Sequence, residues 1–147
     1  MRVRPEKGSG PRRYYLDSSA YLCMLLGEEG SERLSKETAG AELLSSVLLV
    51  LESRRSLVRL AREGRLRADQ FKNCIDRLDH DMSFFRLRDL TLELCQSNTF
   101  PAVATPRSLD LAHLWTALWF HVDMKIDRFV TMDSSQEVAA KELGLPV

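Results

Sequence analysis

The sequence has no uninterrupted apolar run near the roughly 20 residues that a membrane-spanning helix requires; runs such as Val47–Leu51 stop after a few residues. Its N-terminus starts basic but lacks the apolar stretch of a secretory signal, so a cytoplasmic location without a membrane partner is expected. Cysteine is scarce. Cys23, Cys74 and Cys95 are widely spaced, odd in number and in no C-x-x-C pair, which argues against a disulfide framework or a zinc site and reads as reduced packing residues. A net charge is also lacking, because 21 Lys and Arg balance 21 Asp and Glu, so the molecule as a whole does not draw in a polyanion. No internal repeat or low-complexity segment is evident.

What is present is ordinary globular material. A chain of 147 residues with 44% apolar side chains is the size of one domain and can bury a core. Residues 1–12, with two prolines, two glycines and little to bury, are expected to be a flexible arm, leaving 13–147 as the folded domain. The charge is unevenly spread. Six arginines within 54–67 face one acid, Glu63, and the first thirteen residues carry five bases against Glu6. A nucleic acid would have to use such a local patch.

The pattern predicts strands at 14–16, 83–87, 128–132 and 145–147, with 42–45 readable as strand or short helix. Helices are predicted over 20–26, 28–39, 46–63, 67–80, 88–97, 107–122 and 134–143, and a loop over 99–106 with two prolines. Helix 107–122 is almost wholly apolar, so it is central to the core or partly buried against another subunit; Trp115 and Trp119 read as core or interface. Strands alternating with helices predict an α/β sandwich with a short, mostly parallel central sheet flanked by helices.

Two acids occupy equivalent places. Asp17 and Asp133 each end a short apolar strand and precede two serines and a helix. The C-terminal ends of parallel strands line up along one edge, where ligands bind. Carboxylates gathered there repel one another unless a cation intervenes, and hard divalent ions prefer such oxygens. Each acid also has a plain structural reading. Asp17 reads equally as a helix N-cap. Asp133 reads as a cap too, although Ser134-Ser135-Gln136-Glu137 offers an S-x-x-E capping box one residue later that would leave it free. Glu52 reads as a functional acid beside an apolar run or as the partner of Arg55 one turn on. Asp110 sits in a first helical turn, where the helix dipole favours an acid anyway.

Taken in order, these residues carry a resemblance. Tyr15-Leu16-Asp17-Ser18-Ser19-Ala20, the apolar run leading to Glu52, Arg107-Ser108-Leu109-Asp110-Leu111-Ala112-His113-Leu114, and Phe129-Val130-Thr131-Met132-Asp133 with the closing Leu143-Gly144-Leu145-Pro146-Val147 resemble the PIN-domain family, in particular its VapC-like toxins. The third segment is close to the family's R-x-x-D-A-x-H-L-A stretch. The resemblance spans about residues 14–147 and implies a PIN-like three-layer sandwich.

It also implies an endoribonuclease that hydrolyses RNA phosphodiester bonds with Mg2+ or Mn2+ held by Asp17, Glu52, Asp110 and Asp133. Such ions lower the pKa of bound water and stabilise charge building on phosphorus. Some members place a fifth acid where this chain has Ser135, so a second ion is less firmly provided for. Ser19, His113 and Ser135 are candidates to hydrogen-bond the ligands rather than to ligate. Arg55, Arg59 and Arg62 share one side of a helix and are the candidates for tracking an RNA backbone, against the plain reading of a solvated face. The resemblance further implies a homodimer and an antitoxin protein as partner, as in a type II toxin–antitoxin pair. The alternatives are a PIN fold used for RNA or protein binding without turnover, which an intact quartet argues against, and a metal-dependent phosphatase, for which Asp17-Ser18-Ser19 lacks the second acid of a D-x-D loop.

Overall fold

The computed structural model describes residues 10–97, 103–104 and 107–147. Apart from Gly10–Arg12, which are exposed, the expected arm lies outside the described residues, as does most of the expected 99–106 loop. Four strands form one sheet in which every neighbouring pair is parallel: β1 (Arg13–Leu16), β2 (Glu42–Ser46), β3 (Phe85–Arg88) and β4 (Arg128–Val130), in the order β3-β2-β1-β4. Seven helices are described: α1 (Ser18–Leu26), α2 (Ser31–Thr38), α3 (Leu48–Arg62), α4 (Ala68–Met82), α5 (Leu92–Cys95), α6 (Ser108–Asp123) and α7 (Ser134–Glu142). They cover both faces of the sheet, giving a three-layer α/β sandwich.

The period of two along β1 divides the core. Tyr14 and Leu16 point to one face, where they meet Ala20 and Cys23 of α1 and Leu34 of α2. Tyr15, between them, points to the other face and meets Leu114, Ala117 and Phe120 of α6 with Ala139 and Ala140 of α7. β4 alternates in step, with Val130 on the first face and Phe129 on the second. A strand buried on both faces reads as a continuous apolar run, which is what Tyr14-Tyr15-Leu16 is. A third cluster joins Tyr21 and Leu25 of α1 to Leu49 and Leu57 of α3 and Leu78 of α4. Full burial of each large apolar side chain contributes about 1.5–3 kcal/mol.

Several expected boundaries move, each for a local reason. The segment 42–45 is strand, and the next helix starts at Leu48 rather than 46, because the Ser46 hydroxyl accepts the Leu48 amide at the turn. Instead of a helix over 88–97 there is one turn, Leu92–Cys95: β3 runs to Arg88, and Thr91 fixes the start by accepting Leu94 N–H on its hydroxyl. No strand forms at 145–147. Pro146 accepts one bond from Phe129 N–H at 2.6 Å, but proline has no N–H with which to continue a ladder. Gly27 closes α1 in the left-handed conformation (φ 64°), as its position predicts. The three cysteines are free, yet Cys95 is exposed and so is not a packing residue. Trp119 is likewise no core residue: it is 38% exposed and lies under the Arg88 guanidinium, 4.2 Å from its ring centre. Among the described residues no helix is long and apolar enough to cross a membrane.

Candidate functional site

Strand order decides where the acids meet. The chain moves outward from β1 to β2 to β3 and then returns to place β4 on the other side of β1. β1 and β4 are therefore adjacent, and the connections leaving them diverge to opposite faces, which makes a crevice at their C-terminal ends. Asp17 follows β1 directly, and Asp133 follows β4 by three residues. The second turn of α3 brings Glu52 from one helix layer, and the first turn of α6 brings Asp110 from the other.

Asp17 is 4% exposed and heavily bonded. Its Oδ1 accepts Ala20 N–H at 3.1 Å and the Ser19 hydroxyl at 2.7 Å, and its Oδ2 accepts the Thr131 hydroxyl at 2.5 Å. Asp17 thus caps α1, the structural reading of this residue. The two loops are stitched together around it. Ser19 Oγ accepts Met132 N–H at 2.9 Å, Thr131 Oγ1 accepts Asp133 N–H at 3.1 Å, and below them Ser45 donates to Leu16 C=O at 2.6 Å. These bonds explain why β4 stops at Val130 although Thr131 and Met132 suit a strand. Burial pushes the Asp17 pKa above the ordinary carboxylate range; its hydrogen bonds from Thr131 and Ser19 only partly offset that.

Asp133 corrects the capping expectation. It is the N-cap of α7, with extended backbone, and its Oδ1 accepts Ser135 N–H at 2.8 Å and Gln136 N–H at 3.4 Å. Ser134 is already the first helical residue, so its hydroxyl is one place too far along to cap. Asp133 is nonetheless exposed, and both bonds fall on one oxygen. Asp110 is half-buried, and its pKa is raised by burial first, then by the charge of Asp133, with smaller contributions from Asp17 and Glu52, while Arg107 opposes them. Asp110 therefore feels the charge of the other three carboxylates.

Glu52 is not paired with Arg55. Its Oε1 accepts His113 Nε2–H at 2.7 Å and the Ser18 hydroxyl at 2.8 Å. Burial alone would raise its pKa, but the bond and charge of His113 together with Ser18 hold it below the ordinary range. His113 is 1% exposed, and its Nδ1 lies 2.8 Å from the Tyr15 hydroxyl. Ser18 Oγ is also 3.2 Å from His113 Nε2. A serine–histidine–acid relay needs serine and acid on opposite ring nitrogens. Here both are on Nε2, so that chemistry is excluded.

Among the described residues no Lys or Arg forms an ion pair with any of the four acids; His113 on Glu52 is the one basic partner. The donor set is all oxygen, which suits Mg2+ or Mn2+ and not a soft metal. Gln136, 2% exposed, donates to Asp110 C=O at 2.9 Å, while its buried Oε1 has no hydrogen-bond partner among the described residues. Among the described residues no three His, Cys, Asp or Glu side chains are grouped closely enough to hold an ion.

Of the other expected residues, Ser19 and His113 bond directly to an acid, and Ser135 does so through its backbone. Arg55, Arg59 and Arg62 line a shallow exposed face of α3 with Val58 and Glu63, and Arg59 pairs with Glu63 at 3.4 Å. Sequence reading missed Tyr15, Ser18, Thr131 and Gln136 as parts of the site. A tyrosine in a strand buried on both faces was the signal for the first of these, because its hydroxyl must find a partner.

No family model matches the chain, and no curated protein matches it. Among solved structures it is similar to the crystal structure of PAE2754 from Pyrobaculum aerophilum, with a TM-score of 0.52 and 15% sequence identity over 92% of this chain and 84% of that one. At that identity the likeness is one of fold.

Proposed function

We propose that this protein is a Mg2+- or Mn2+-dependent endoribonuclease of the PIN-domain kind, acting as the toxin of a type II toxin–antitoxin pair in the cytoplasm. The observation that carries the reading is the repulsion that Asp110 receives from Asp133, Asp17 and Glu52 near the sheet's switch point, with no Lys or Arg ion-paired to any of the four among the described residues. Such a concentration of negative charge is costly unless a cation is to be bound.

Asp17, Glu52, Asp110 and Asp133 would hold the ion, which supplies a water of lowered pKa and positive charge against the phosphate. Asp17 is fixed by three hydrogen bonds and Glu52 by two, while Asp110 and Asp133 are freer to adjust. Arg55, Arg59 and Arg62 continue along α3 from Glu52 at about 1.5 Å per residue, a path along which an RNA backbone can be neutralised. The partners proposed with this reading are a second copy of the chain and an antitoxin whose basic side chain reaches the acids.

Cleavage of a fluorescent RNA, lost with EDTA and lost in Asp17→Asn, tests the enzyme. Light scattering at tens of micromolar tests the dimer. The alternative is a module that binds RNA or protein without turnover. RNA binding without EDTA-sensitive cleavage would support that module instead.

A further inference from the structure

We propose that His113, held by the Tyr15 hydroxyl, is the positioning residue for Glu52: it occupies the Oε1 oxygen and leaves Oε2 as the atom Glu52 offers to a bound cation. The inference rests on the ribonuclease reading and gives a role to a side chain outside its ligand set.

The arm begins at a group that cannot move. Tyr15 has no exposed surface; its ring stacks on Phe129 with centres 5.4 Å apart and planes 7° from parallel, and leans on Phe120 at 6.3 Å. Its hydroxyl meets His113 Nδ1 at 2.8 Å, and the two rings sit edge to face at 5.9 Å. On the far side of the imidazole, Nε2 is 2.7 Å from Glu52 Oε1. An ionised carboxylate can only accept, so Nε2 carries a proton towards Glu52, while Nδ1 faces the Tyr15 hydroxyl. Ser18 donates to the same Oε1 at 2.8 Å, and no bond to Oε2 is present among the described residues.

Glu52 belongs to α3 and His113 to α6, which lie on opposite faces of the sheet, so the link passes over the end of β1. A glutamate on a helix otherwise samples several rotamers. Two donors on one oxygen select one of them, and ligand placement of that kind governs metal affinity. With both ring nitrogens engaged and 1% exposure, His113 does not reach substrate.

The test uses the full chain and Mn2+ alone, followed by calorimetry, in wild type, Glu52→Gln, His113→Ala, His113→Gln and Tyr15→Phe, each checked for folding. His113→Ala should weaken Mn2+ binding about 10–100-fold. His113→Gln should recover most of that, since its amide can still donate to Oε1, and Tyr15→Phe should lose a smaller part. Saturating Mn2+ should return the cleavage rate of His113→Ala to near wild type. In the metal-free protein, the 15N resonances of the ring should place the proton on Nε2, and Tyr15→Phe should disturb that placement. Wild-type Mn2+ affinity in folded His113→Ala, glutamine no better than alanine, or a rate that stays low at saturating Mn2+ would each overturn the proposal while the loss of binding in Glu52→Gln keeps the ribonuclease reading intact. If His113→Ala does not fold, unchanged affinity in Tyr15→Phe and wild-type-like ring resonances overturn it. Absence of Mn2+ binding in wild type, with Glu52→Gln indistinguishable from it, defeats the ribonuclease reading and this inference with it.

Discussion

Replacing Asp17 by asparagine should reverse the order of stability of the two proteins according to whether a divalent ion is present. Asparagine keeps Oδ1 with its bonds from Ser19 and Ala20, and its amide can donate to Thr131 Oγ1 where the carboxylate accepted from it. The displaced Thr131 proton then has Ser19 Oγ, 3.2 Å away, as an acceptor. The number of bonds is conserved. Their charge-assisted character goes, at about 1 kcal/mol for each of the three. Against this stands the removal of a desolvated charge that repels Asp110, and the raised Asp17 pKa says that the unfavourable side is the larger. In EDTA at pH 7 the variant should therefore melt at or above wild type. At Mn2+ about 100 times its Kd, wild type gains about 2.7 kcal/mol by mass action, or roughly 5–10 °C for a chain of this size. The variant should gain almost nothing and should not cleave RNA. Thermal unfolding followed by circular dichroism, with EDTA and with Mn2+, reads both arms. A variant several kcal/mol less stable in EDTA would show that the anion is a structural cap. An equal Mn2+ shift in both proteins would place the ion elsewhere.

Acidification should stabilise the EDTA-treated protein just above the ordinary carboxylate range. Asp17 and Asp110 bind protons more tightly folded than unfolded, so stability rises as pH falls through that window. Glu52 opposes, since its stabilisation is lost as pH falls through its depressed folded-state value; urea midpoints across pH should show the rise, and a smaller one in Asp17→Asn. Changing Arg55, Arg59 and Arg62 to alanine should leave melting nearly unchanged and lower the salt dependence of RNA binding by about 2 in log–log slope, at about 0.7 for each phosphate no longer neutralised; an unchanged slope would return α3 to a solvated face. Gly27→Ala meets no atom within 4 Å but must keep φ at 64°, so it should cost about 1–2 kcal/mol through backbone strain alone; an unchanged melting temperature would contradict that cap.

Local patterns announced most of the fold. The apolar run Tyr14-Tyr15-Leu16, the glycine that ends α1 and the periodic apolar positions of α4 each act within a few residues, so their outcome is written in the sequence. The same is true of where Asp17 and Asp133 lie, because the end of a short strand is a local event. Misjudged boundaries were contests between two local options: Thr91 against an earlier start to α5, and Asp133 against Ser134 as the cap of α7.

Tertiary structure decided what those acids meet. Glu52 had an arginine one turn away in sequence and instead took His113, 61 residues on, because parallel packing brings α3 and α6 over the same end of β1. Thr131 left its strand to serve Asp17, 114 residues away, since β1 and β4 are neighbours only by sheet order. Sequence by itself supplied the inventory of carboxylates and their places at element ends. The repulsion that Asp110 receives from the other three, the burial of Asp17 and the Tyr15–His113 arm depend on distances through space, and those arise only when the sheet is assembled.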